Sequence, residues 1–279
     1  MFEVKIISDS ISLNNNRLTT FVLTYPRYIH AEMLTHRVFS RNAQSSRAIP
    51  VSKMIQKVQE HPVFPLVNGR NKPGMSSDEI LTGEEDKESM LVWATALQQA
   101  IEAATQLERL GQHKQWANRI LEPFATITTI VSSTEWNNFF FLRTSKTAQP
   151  EIQLLAQLMK VEYEKSTPVS VYWNEYHLPF IKLDDLVDIS NKFSSKLEVS
   201  QLEIAKKVST ARCARVSYLT HEGKRDIQKD IDLCDKLLHD NHYSPFEHIA
   251  RPYPYRDTSM TRNYVGWKSY RAEIDNLPK

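Results

Sequence analysis

The chain has 279 residues with 41% hydrophobic content, enough for one large domain with an ordinary buried core. A formal net charge of +2 is too mild for bulk nucleic-acid binding, so any anion recognition has to be local. No stretch approaches a membrane span, the N-terminus reads as a strand instead of a signal peptide, and the two cysteines form no C-x-x-C pair. These features point to a cytoplasmic, reducing location with free thiols. Six glycines, none in a G-x-G-x-x-G pattern, exclude a Rossmann dinucleotide turn.

The opening M-F-E-V-K-I-I-S alternates as a strand does, and Leu18 to Tyr25, β-branched and aromatic, predicts a second strand ended by Pro26. Tyr28 to Val38 has helical spacing and leads into Thr35 to Arg47, T-H-R-V-F-S-R-N-A-Q-S-S-R. That segment sets Arg37, Arg41 and Arg47 among His36, Ser40, Asn42, Ser45 and Ser46. Between Glu32 and Glu60 there is no carboxylate, so a local positive field is expected. Guanidinium forks grip phosphate oxygens in pairs, while hydroxyls and amides fill the remaining acceptor sites. A solvated basic loop is the plain alternative, and the interleaved His, Asn and Ser argue against it.

Residues 66–88 are polar and read as an exposed loop or insertion; Gly69 to Ser76 has phosphate-loop glycine spacing but Met75 where a lysine is needed. Met90, Trp93, Leu97, Ile101, Ala104 and Leu107 predict a helix that stops at Gly111. Ala125 to Val131 reads as a strand, and Ser132 to Glu135 as a capping box that opens a helix. On that helix Trp136, Phe139, Phe140 and Arg143 share one face, so Arg143 either stacks or snorkels there, or is aimed into a site. Further helices are expected through Ile152, Leu155, Met159 and Tyr163, and through Ile227, Ile231, Cys234 and Leu238, with a linker near 192–196. His221, His239, His242 and His248 lack metal-ligand spacing, and no metal site is expected.

Three blocks together resemble the flavin-dependent thymidylate synthases. Arg-His-Arg, seven residues, then Ser is matched by Thr35-His36-Arg37 and Ser45. A-R-V-S-aromatic followed by H-x-S-P-F-E-H is matched by Ala214 to Tyr218 and His242 to His248, and the Asn- and Arg-bearing helix with A-Q-x-E-I by Asn138 to Arg143 and Ala148 to Ile152. The family's first block stands here at the C-terminal end, so the order looks circularly permuted. The resemblance implies an α+β fold, a sheet with packed long helices in a single domain over 1–279, and a homotetramer. It also implies FAD-dependent methylation of dUMP to dTMP, with methylenetetrahydrofolate and NADPH as co-substrates.

Carried over residue by residue, the resemblance puts His36, Arg37, Asn138, His242, Ser244 and Glu247 at the flavin. It puts Glu32, Ser45, Ser46, Arg47 and Arg119 at the nucleotide, and Arg143 at the uracil as the catalytic group. Thr35 in place of Arg, Glu32 in place of Gln and Ala43 in place of Glu depart from the pattern, and Arg41 is a candidate to replace the missing guanidinium. Two other readings stay open. One is a flavoenzyme that transfers a one-carbon group to another pyrimidine nucleotide, and the other is a noncatalytic nucleotide- or nucleic-acid-binding protein.

Overall fold

The computed structural model describes residues 1–193, 200–217, 226–254 and 260–275. Strands β1 (Glu3–Ser12) and β2 (Arg17–Pro26) form a hairpin whose alternating residues line opposite faces of a sheet. A 3-10 turn, Arg27–Ile29, and the short α1 (His30–Leu34) follow, so the long helix expected over Tyr28 to Val38 is cut to two turns. The basic segment then enters the sheet as edge strand β3 (Ser40–Ala43), where a loop was expected, before a 3-10 turn at Ser46–Ala48.

Two helices, α2 (Val51–Glu60) and α3 (Glu84–Arg109), pack with the short α4 (Lys114–Ala117) and a 3-10 segment, Asn118–Phe124. Met54, Val58, Leu97, Ile101 and Leu121 form their shared core. The polar segment is an exposed loop as expected, but α3 already begins at Glu84, and a bridge pairs Gly69 with Ile80. Its start is tied down, because the buried Glu151 carboxylate accepts from the Leu66 backbone N at 2.8 Å.

Strand β4 (Thr126–Ser133) leads to α5 (Asn137–Arg143) and α6 (Pro150–Lys165), then to β5 (Val169–Val171). The expected capping box does not form. Ser133 ends β4 and its hydroxyl accepts from Glu135 N at 2.9 Å, closing a turn, while α5 starts from Trp136 without a side-chain cap. Helices α7 (Leu183–Phe193), α8 (Gln201–Arg215) and α9 (Ile227–His239) come next. The expected linker falls within α7 at residues 192–193, and residues 194–196 lie outside the described residues. Short strands β6 (Ala250–Pro252), β7 (Met260–Thr261), β8 (Tyr264–Val265) and β9 (Trp267–Ser269) precede α10 (Tyr270–Ile274).

The main sheet has the order β3-β4-β2-β1-β5, antiparallel except where β5 joins β1. On one face Phe21, Leu23, Tyr25, Ile127 and Val131 pack against Phe139 and Phe140 of α5 and Ile152, Leu155 and Met159 of α6. On the other, Ile130 packs with Ala211 and Cys213 of α8, Cys234 and Leu237 of α9, and Phe246. The mixed α+β architecture therefore sandwiches one sheet between helices from the middle and the C-terminal part of the chain. No helix among the described residues is long and apolar enough to cross a membrane.

Candidate active site

Three sequence-distant pieces meet at the β3 edge of the sheet. Helix α5 buries Phe139 and Phe140 beside the buried Trp136 that precedes it, and this anchors the turn from which Arg143 reaches back to α1 and the residues after it. The guanidinium donates from Nε to His36 Nε2 at 3.0 Å, from Nη1 to Glu32 Oε2 at 3.0 Å and from Nη2 to Thr35 Oγ1 at 3.1 Å. Arg143 is thus neither snorkelled nor simply stacked.

His36 is buried, stacked on Phe39 at 5.6 Å and edge-on to Phe139 at 4.9 Å. Burial pushes its imidazole down to about 4, and the Arg143 and Arg41 guanidiniums push the same way. A neutral His36 that accepts at Nε2 carries its proton on Nδ1. Burial raises the Glu32 carboxyl above its usual range, against the pull of Arg143. Thr35, the apparent departure from the family pattern, serves here as an acceptor for Arg143. Arg41, the candidate to replace the missing guanidinium, donates from Nη1 to the carbonyls of Met33 (3.4 Å), Leu34 (3.0 Å) and His36 (3.3 Å), closing the end of α1.

The basic segment is less free of carboxylates than its sequence suggests. Folding brings Glu32 onto Arg143, and it brings Glu122 to the Ser46 hydroxyl at 2.6 Å, to Arg27 at 3.0 Å and to Arg119 at 3.1 Å. Arg119 is half exposed beside the 3-10 turn of Ser46, and the Ser45 backbone N donates to Ser217 O at 3.3 Å. Arg37 and Arg47 are exposed and carry no ion pair among the described residues.

The C-terminal block reaches the same edge. Its 3-10 turn, Ser244–Glu247, packs on β3, and Arg41 feels the Glu247 charge. His242 and Ser244 are exposed, whereas the Glu247 carboxylate is paired with Arg271 and its carbonyl accepts from Tyr264 Oη at 2.7 Å. Behind the turn, His248 Nδ1 meets Ser132 Oγ at 2.8 Å, Ser132 Oγ meets Thr20 Oγ1 at 2.6 Å, and Thr20 Oγ1 meets His177 Nε2 at 2.7 Å. Asn138 sits exposed on the first turn of α5, with no hydrogen bond to the other site residues. Tyr218 and His221 lie outside the described residues.

Both thiols are buried and free, and burial raises Cys213 well above its ordinary value and Cys234 to about 12. Neither is a ready nucleophile. Sequence reasoning missed Arg27 and Glu122, whose signal is purely tertiary: one follows a strand and the other sits in R-I-L-E-P, 95 positions later.

No curated protein matches the chain. Among solved structures, a UMP/dUMP methylase PolB from Streptomyces cacaoi bound with 5-Br dUMP is similar, with TM-score 0.48 and 17% identity over 59% of this chain and 90% of that one. The same enzyme bound with 5-Br UMP gives TM-score 0.45 and 15% identity over 59% and 89%. A family model described as thymidylate synthase complementing protein matches residues 15–169, more than half of the chain, and spans β2, the basic segment, Arg119 and Arg143. The chain belongs to the thymidylate synthase complementing protein family.

Proposed function

We propose that this protein methylates dUMP to dTMP, with methylenetetrahydrofolate as carbon donor, FAD as resident cofactor and NADPH as reductant. The observation that carries the reading is the convergence of Arg143 on His36, Thr35 and Glu32, at the strand edge where the turn of Ser244 and the basic segment also lie.

In this reading Ser45, Ser46, Arg47 and Arg119 hold the nucleotide phosphate. Arg143 donates to the pyrimidine, and Glu32, Thr35 and neutral His36 fix the plane of its guanidinium, so little reorganisation is needed when charge develops on the ring. Its three contacts leave N–H groups unused, since a guanidinium carries five.

The donor set fits a flavin in part. Arg37, His242, Ser244 and Asn138 are exposed polar groups able to bind phosphate or ring edges, while Glu247 is held by Arg271 and needs that pair rearranged to take part. Bound FAD supplies the hydride that reduces the transferred carbon to a methyl group. The buried thiols are consistent with a route that uses no cysteine nucleophile. We take the C-terminal block to be the family's first block, permuted in order, and the enzyme to be a cytoplasmic homotetramer that completes its sites between subunits.

The test is cofactor and substrate binding in the purified protein. A flavin absorbance spectrum that shifts when dUMP is added supports the reading. A protein that takes up no FAD contradicts it.

A further inference from the structure

The corner formed by Arg27, the turn at Ser46 and the segment Asn118–Phe124 holds more positive charge than its one carboxylate balances. Glu122 Oε1 accepts from Ser46 Oγ at 2.6 Å, from Arg27 Nη2 at 3.0 Å and from Arg119 Nη1 at 3.1 Å. Arg47 lies on the same turn as Ser46, exposed and without an ion pair among the described residues. Arg27 and Arg119 against Glu122 leave one positive charge, and Arg47 on the neighbouring turn adds a second. Lys57, which donates to Thr126 O at 3.0 Å and feels Arg27, adds to that field.

The corner is also built firmly. The Asn118 amide donates to Ser46 O and to Ile49 O, both at 2.8 Å, and so fixes the turn that presents Ser46 and Arg47. Glu122 gathers Arg27 and Arg119 at one point, while among the described residues the Arg27 side chain makes one further hydrogen bond, a long one of 3.5 Å to Gln44 O. The arrangement gathers a hydroxyl and two guanidiniums at one point, where the Glu122 carboxylate is their present acceptor and each guanidinium keeps N–H groups to spare for a second anion.

We infer that Arg27, to which neither the motifs nor the family match gives a role, binds the phosphate of the nucleotide together with Ser46, Arg47 and Arg119. This rests on the pyrimidine nucleotide reading above. A phosphate monoester brings two negative charges, which the corner neutralises; a nucleoside brings none. Arg27 therefore contributes to nucleotide affinity and not to recognition of the base.

The experiment is calorimetric titration of the full-length, FAD-loaded protein with dUMP, dCMP and deoxyuridine, for wild type, Arg27→Gln and Arg27→Lys. Arg27→Gln is expected to weaken the bound monophosphate by about tenfold and leave the nucleoside within about twofold, as loss of a charged hydrogen-bond donor implies. Arg27→Lys, which keeps the charge and is the variant of record if Arg27→Gln folds poorly, should fall between the two for the monophosphate. Equal losses for nucleotide and nucleoside, or no loss for either, overturn the inference and leave Arg27 as a brace for Glu122. Wild-type protein that binds no pyrimidine nucleotide overturns the nucleotide reading itself.

Discussion

Arg143 is held by three acceptors of different chemistry, and each constrains what can replace it. A lysine offers a point charge without the planar fork, so it cannot serve a carboxylate, a hydroxyl and an imidazole lying in different directions. Arg143→Lys should lower kcat by roughly a hundredfold or more, consistent with about 3 kcal/mol for a lost charged network, and Arg143→Ala should abolish turnover. Arg47, exposed and unpaired among the described residues, should behave otherwise: Arg47→Ala is expected to raise KM about tenfold with kcat little changed. Steady-state kinetics with varied dUMP separates the two outcomes. His36 should stay neutral from pH 8 down to about 4. An NMR titration that finds its imidazole protonating near the ordinary 6.5 would contradict the hydrogen bond from Arg143.

At the scale of elements, the C-terminal helices are joined by a buried ionic network. Arg212 of α8 donates to both oxygens of Asp185 on α7, at 2.7 and 2.8 Å, and to Asp230 on α9 at 3.0 Å. Arg215 adds a second contact to Asp230 at 2.9 Å. Arg212→Ala would strand buried carboxylates and should cost about 3 to 5 kcal/mol in chemical denaturation, far more than removal of an exposed arginine. Legibility in the sequence also divides at this scale. Strand β1 and helices α3, α6 and α9 announce themselves because their apolar residues keep one period over several turns or pleats, and strands β2 and β4 because they are rich in β-branched and aromatic residues. Strand β3, paired with β4, and strands β6 and β9, paired with each other, are three to four residues long and exist through partners distant in sequence, while the hairpin strands β7 and β8 have two residues each, too few to carry a period. Capping chemistry misled at Ser132 to Glu135, while a working serine cap lies at Ser200, whose hydroxyl accepts from Glu203 N at 3.2 Å. The site divides in the same way. Arg143 and His36 were legible from motif spacing, but the carboxylates that balance the basic segment, Glu32 on Arg143 and Glu122 on Arg27, become visible only once the chain is folded.

For the molecule as a whole, the chain of Thr20, Ser132, His177 and His248 joins the main sheet to the C-terminal block through uncharged hydrogen bonds. Burial pushes both imidazoles down to about 3. Their folded pKa lies below the unfolded value near 6.5, so stability is complete above about 6.5 and falls as pH drops toward 3. Each histidine removes about 1.4 kcal/mol per pH unit across that window. Urea midpoints should therefore decline between pH 6.5 and 5, above the range where ordinary carboxylates titrate. A constant midpoint would mean that neither imidazole is held neutral by burial.

If these distant segments fold into a site that methylates a uracil nucleotide, the product itself must show it. Mass spectrometry of the product formed from dUMP with FAD, NADPH and isotope-labelled methylenetetrahydrofolate tests it most directly. Wild type is expected to form dTMP carrying the labelled carbon and Arg143→Ala none; unchanged dUMP with the flavin-loaded wild-type protein, or labelled product from dCMP alone, would rule this function out.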